Sequence, residues 1–90
     1  MPRKYPPLTL SEVLKILRRN GFEQVRATGS HFRYRAWIKG KIRQVTVDHA
    51  IDEFDIDLIK YMIAQSGLTR EEFYGSAKSA ARKAGVRFRK

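Results

Sequence analysis

Residues 29–34 read Gly-Ser-His-Phe-Arg-Tyr, a tight turn that delivers one histidine onto the start of an arginine-rich strand. Imidazole takes and gives protons near neutrality. Gly29 and Ser30 are turn residues, and Gly29 can take a positive φ without a Cβ clash. In an extended strand alternate side chains share a face, so His31, Arg33 and Arg35 point the same way. A proton shuttle beside phosphate-binding cations is what RNA cleavage needs; by chemistry alone, an ordinary turn histidine fits the same residues. The other histidine, His49, stands near Asp48 and Asp52. It reads as a loop histidine held by carboxylates in preference to a second acid/base. Two histidines and scattered aspartates, in a chain without cysteine, do not make a convergent metal-ligand set. No metal and no cofactor is therefore expected.

The elements that must carry these residues are marked locally. Thr9-Leu10-Ser11-Glu12 is a capping box, flanked by Leu8 and Val13 in the positions of a hydrophobic staple. Leu10, Val13, Leu14 and Leu17 recur at helical spacing as a buried stripe, and Asn20-Gly21 supplies the stop. Three strands follow, over residues 22–27, 31–38 and 42–47, with Lys39-Gly40-Lys41 turning the second into the third. Parity assigns Val25, Ala27, Phe32, Tyr34, Ala36, Val45 and Val47 to a face packed on helices. Gln24, Arg26, His31, Arg33, Arg35, Gln44 and Thr46 fall on the open face. Tyr34 is then a core residue with its hydroxyl at an edge. Trp37 and Ile42 share the open parity; Trp37 has the chemistry to stack a base, but packing at the hairpin end is the favoured reading. Residues 48–55 form an acidic loop. A second helix runs from about 55 to 66, buries Leu58, Ile59, Met62 and Ile63, and stops at Gly67. A second capping box, Thr69-Arg70-Glu71-Glu72, opens a third helix over residues 70–84, weakened by Gly75 and Ser76. Ala77, Ala80, Ala81 and Ala84 give it a narrow apolar stripe.

Ninety residues, 42% of them hydrophobic, make one small folded domain. No apolar run is long enough to span a membrane, and the first residues lack the apolar stretch of a signal peptide, so a cytoplasmic protein is expected. The net charge is +10, which points to a polyanionic partner, nucleic acid first. The charge is segregated: +9 over residues 1–47, −5 over residues 48–73 and +6 over residues 74–90. The six cations of that last block are Lys78, Arg82, Lys83, Arg87, Arg89 and Lys90, and they read equally as a solvated tail or as phosphate contacts.

The chain resembles the HicA toxins, also called the YcfA-like family, small ribonucleases of toxin–antitoxin modules. The resemblance lies in Leu8-Thr9, Glu12-Val13, Arg19-Asn20-Gly21-Phe22, Gly29-Ser30-His31 with Tyr34, Val45-Thr46-Val47 and Ser66-Gly67-Leu68-Thr69. It covers residues 8–73 of a single domain and leaves residues 74–90 as a basic C-terminal extension. Asp48 stands where many members have proline, and Phe54-Asp55-Ile56-Asp57 replaces a Lys-Pro-Gly-Thr-like helix entry. What the resemblance implies is an α+β fold like that of double-stranded-RNA-binding domains: helix, three-stranded antiparallel sheet, helix, here with an extra C-terminal helix. It further implies messenger-RNA cleavage by a single catalytic histidine, His31, and inhibition by a HicB-like antitoxin. Arg26, Ser30, Arg33 and Arg35 are the expected RNA-binding residues. A histidine in this role deprotonates the ribose 2′-hydroxyl or protonates the leaving 5′-oxygen, and needs no metal. The competing readings are a catalytically silent RNA-binding module of the same fold and a basic structural protein bound to ribosome or DNA. The second of these leaves the Gly-Ser-His turn unexplained.

Overall fold

A computed structural model describes residues 4–89 of the chain; residues 1–3 and 90 lie outside it, Lys90 of the tail cations among them. Strand β1 (Leu8–Thr9) leads into helix α1 (Leu10–Arg19). The helix begins where its sequence signals stand. The Thr9 hydroxyl accepts from the Glu12 amide at 3.2 Å, and the Glu12 carboxylate accepts from the Thr9 amide at 2.9 Å. Leu8 and Val13 close over this cap and are fully buried. The buried stripe is shifted from expectation: Ile16 is in the core, whereas Leu10 and Leu14 are only partly covered.

Strands β2 (Glu23–Thr28), β3 (His31–Ile38) and β4 (Lys41–Asp48) form one antiparallel sheet in the order β2-β3-β4. The expected α+β class and the order helix, three-stranded sheet, helix hold, with helices packed on one sheet face only. Tyr34, Ala36, Ile38, Val45 and Val47 are buried on that face, as alternation requires. The β3–β4 connection differs in one detail. Its loop is the pair Lys39-Gly40, with φ of 51° and 83°, and Ile38 pairs directly with Lys41. Two successive positive φ values are the signature of a type I′ turn, whose twist matches that of the flanking strands. This turn sets the register of the whole hairpin, down to His31 opposite Asp48.

Strand β2 departs further. Its register slips between Gln24 and Arg26, leaving Val25 as a bulge that is 44% exposed. Gln24 pairs with Tyr34 and so takes the helix-side parity, not the open face expected for it. The bulge inserts one extra residue, so parity counted through it inverts. Ala27 keeps its parity opposite Phe32 but is exposed, because β2 is an edge strand and all six of its residues are exposed.

The acidic segment after β4 is not simply a loop. Strand β5 (Glu53–Phe54) pairs antiparallel with β1, burying Phe54 beside Leu8. Helix α2 (Ile56–Ser66) is capped by the Asp55 carboxylate and ends at Gly67 in the left-handed region. Ile59 and Met62 are buried, whereas Leu58 lies exposed. The expected third helix is two: α3 (Arg70–Tyr74) and α4 (Lys78–Ala84), broken at Gly75-Ser76-Ala77. The path turns extended at Ala77, φ −134° and ψ 137°, just beyond Gly75, which keeps helical dihedrals but has no room for a side chain. A Cβ there would stand 2.6 Å from the Glu71 carbonyl oxygen and 2.7 Å from that of Arg87, so only glycine lets the returning tail approach.

Residues 74–89 send one face into the core and leave their cations exposed. Tyr74, Ala77, Ala80, Ala81 and Ala84 are buried. Ser79 Oγ and Lys83 Nζ both donate to the Glu12 carboxylate, at 2.6 and 2.7 Å, and Asn20 Nδ2 donates to Ser76 Oγ at 2.8 Å.

Candidate active site

The β2–β3 turn presents the histidine. Thr28 and His31 are paired, so Gly29 and Ser30 alone make the loop, with Gly29 at φ 59°. A two-residue hairpin needs positive φ at its first position when that position is glycine and the second is not. The turn is tied down from the far strand: the His49 amide donates to the Ser30 carbonyl at 2.7 Å. His31 is thereby held at the end of the central strand, its side chain 64% exposed.

On the open face the ladder builds rows. Thr28, His31 and Asp48 form the first, Arg26, Arg33 and Thr46 the second, and Glu23, Arg35 and Gln44 the third. The first two rows enclose a hollow of about 320 Å³ lined by Arg26, Thr28, His31, Arg33 and Thr46. Two guanidinium groups and an imidazole around one hollow suit an anion, with the hydroxyls of Thr28 and Thr46 as further donors. Arg35 is not in it. It stands two residues along β3 from Arg33 and lines a second hollow with Gly21, Glu23, Trp37 and Ile42.

Asp48 closes the first row. Its Oδ2 lies 3.7 Å from His31 Nε2, and its Oδ1 accepts from the Ala50 amide at 2.9 Å. The Ala50 amide first, then the Ser30 hydroxyl, hold the Asp48 carboxyl below the ordinary carboxylate range, with smaller help from the two histidines. Ser30 thus acts on Asp48, outside the hollow that Arg26 and Arg33 line. Asp48 and Thr28 were missed as site residues. Counting back from a two-residue Lys39-Gly40 turn would have put Asp48 across from His31, and counting back from Gly29-Ser30 would have done the same for Thr28.

His49 is not held by carboxylates, contrary to expectation. Its ring stacks on Phe32 with centroids 3.8 Å apart, and its Nε2 is hydrogen-bonded to Tyr34 Oη at 2.9 Å. Phe32 and Tyr34 point to the helix side of β3, so the rings of His31 and His49 lie on opposite sides of the sheet. The aromatic slot, not Asp52, fixes His49. Trp37 also departs from the favoured reading: it is 70% exposed opposite Ile42, itself exposed.

Among the described residues no group of three or more His, Cys, Asp or Glu side chains is placed to hold a metal ion, and no helix is long and apolar enough to cross a membrane. No curated protein and no solved structure matches the chain. A family model does, over residues 10–68. That span runs from the first residue of α1 through the three-stranded sheet, β5 and α2, and it includes His31, Asp48 and both hollows. The model is that of the HicA toxin of bacterial toxin–antitoxin modules, and this chain belongs to the HicA toxin family.

Proposed function

We propose that this toxin is a cytoplasmic endoribonuclease that cleaves messenger RNA without a metal, with His31 as general acid/base, and that a HicB-type antitoxin neutralises it. The observation that carries the reading is the composition of the first hollow: an exposed imidazole shares it with Arg26 and Arg33, on a sheet face that no helix covers. A phosphodiester in the hollow has its non-bridging oxygens against the two guanidinium groups, which neutralise the charge that builds as the 2′-oxygen attacks phosphorus. His31 takes the 2′-hydroxyl proton as the O2′–P bond forms and the P–O5′ bond breaks, the leaving 5′-oxygen takes a proton from solvent water, and the imidazolium then returns its proton to solvent. Asp48, kept ionised by Ala50 and Ser30, supplies the counter-charge to the imidazolium so formed. The products are a 2′,3′-cyclic phosphate and a 5′-hydroxyl. Ser30 contributes by holding Asp48, and Arg35 extends the cationic face toward the next stretch of RNA.

The test is cleavage of a defined RNA by purified protein in EDTA, wild type against His31→Ala. The wild type is expected to release cyclic-phosphate ends, and an RNA with a 2′-deoxy residue at the cut site is expected to resist. Activity that requires added magnesium and leaves 5′-phosphates overturns the mechanism. RNA binding without any cleavage by the wild type favours instead a silent RNA-binding module.

A further inference from the structure

The C-terminal segment folds back on α1 and makes a cleft that the family-matched residues alone do not contain. It has a volume of about 710 Å³ and is lined by Lys15, Arg18 and Arg19 of α1 and by residues 76–79, Arg82 and Phe88. Lys15, Arg18 and Arg19 are spaced i, i+3 and i+4, so they rise from one face of α1, about 5–6 Å apart at Cβ. Lys78 and Arg82, four apart on α4, form the opposite wall. All five cations are exposed, and no acidic side chain lines the cleft. The nearby Glu12 is paired with Lys83 Nζ and accepts from Ser79 Oγ, so its charge is offset by Lys83 and not by the five cations of the walls. At one end Arg19 is set in place. Its Nη2 donates to the Arg89 carbonyl at 2.7 Å, and its guanidinium lies 5.8 Å from the centroid of the Phe88 ring.

We propose that this cleft is a second RNA-binding site, which grips the phosphate backbone of a single strand outside the His31 hollow. Two facing lines of cations suit a chain of phosphates better than one small anion. Phe88 with the Arg19 guanidinium adds a surface on which a base stacks, which is how single-strand sites combine charge with aromatic platforms. That pairing of features favours RNA over an acidic peptide, which has no use for the stacking surface. The inference rests on RNA being the substrate but not on the chemistry assigned to His31.

Lys78 and Arg82 are the residues to change, since both lie beyond residue 68 and neither side chain makes a hydrogen bond or ion pair within the described residues. Binding of a fluorescent 2′-O-methyl RNA of about 20 nucleotides, longer than a typical single-strand site, is followed by anisotropy against salt. It is measured for the wild-type protein, for Arg33→Glu and for the double variant Lys78→Gln/Arg82→Gln. Loss of two phosphate contacts flattens the log–log salt slope by about 1.4, so the double variant loses about sevenfold less affinity than wild type between about 50 and 200 mM salt. A second pair, Lys78→Ala/Arg82→Ala, and an unchanged melting temperature guard against misfolding. A slope and affinity equal to wild type in both double variants, while Arg33→Glu weakens binding, overturn the cleft alone. Failure of the wild-type protein to bind RNA overturns the cleft and the proposed substrate together. Poly-glutamate of matched charge is the competing probe: if it binds as tightly as the RNA and is lost equally in the double variants, the RNA assignment is wrong.

Discussion

His31 and Asp48 are partners across the β3–β4 ladder, and the Asp48 carboxylate lies 3.7 Å from the imidazole although 16 residues separate them. The distance is too long for a direct hydrogen bond, so the counter-charge role proposed for Asp48 would work through space. Asp48→Asn removes that charge at nearly constant shape. It is expected to lower kcat by on the order of tenfold, far less than loss of a buried aspartate in a catalytic triad, with KM for RNA little changed. Single-turnover cleavage beside RNA binding checks this. A loss confined to KM would make Asp48 a binding residue.

The two histidines are expected to fail in opposite ways. His31→Ala abolishes cleavage, by about two to four orders of magnitude, and leaves the melting temperature unchanged, because its exposed ring supports no packing. His49→Ala empties the slot between Phe32 and Tyr34 and strands the Tyr34 hydroxyl, at a cost of about 1–3 kcal/mol. Cleavage per folded molecule survives that change. Urea denaturation and initial rates on the same preparations separate the two effects.

Glu12 is the pin between the first helix and the last. Burial pushes its carboxyl up, yet the bonds from Lys83, Ser79 and Thr9 outweigh burial and hold it below its ordinary value. A carboxylate whose pKa is lower folded than unfolded stabilises the fold above its unfolded pKa. That contribution is lost as pH falls through the folded value. Glu12→Gln is therefore expected to destabilise the protein at neutral pH by about 1–3 kcal/mol, and to flatten the acid limb of the stability profile below about pH 4.5. Denaturation midpoints from pH 7 downward test both the size and the sign. An acid limb as steep as that of wild type would assign the pH dependence to other carboxylates.

Gly75→Ala drives a Cβ against two backbone carbonyls that cannot swing aside, those of Glu71 and Arg87. Overpacking of this kind costs about 1–3 kcal/mol. Relief comes most simply by releasing residues 85–89, whose Arg89 amide donates to the Gly75 carbonyl at 2.8 Å. The expected result is a lower melting temperature together with faster proteolytic trimming of the C-terminus. A stability loss without faster trimming would place the strain in α3.

What could be read from the chain was whatever neighbours in sequence decide. Thr9 with Glu12, and Thr69 with Glu72, start their helices through contacts three residues long. Alternation along β3 needs no partner strand to put His31, Arg33 and Arg35 on one face. Charge segregation and the Gly-Ser-His turn pointed to the open sheet face for similar local reasons. Tertiary structure decided what depends on pairing and approach. The bulge at Val25 inverted parity in β2, since an inserted residue announces itself only when a partner strand fails to match it. The Lys39-Gly40 turn adopted two positive φ values and so chose the register that puts Asp48 beside His31. Gly75 has to be glycine because the tail returns to within reach of its Cα, a contact that local helix propensity does not record. His49 left the carboxylates for an aromatic slot that exists only once β3 and β4 have paired. Local free energies of a few tenths to about 1 kcal/mol start elements and set their faces; the larger energies of burial and steric exclusion, which act between residues far apart in the chain, settled which side chains meet.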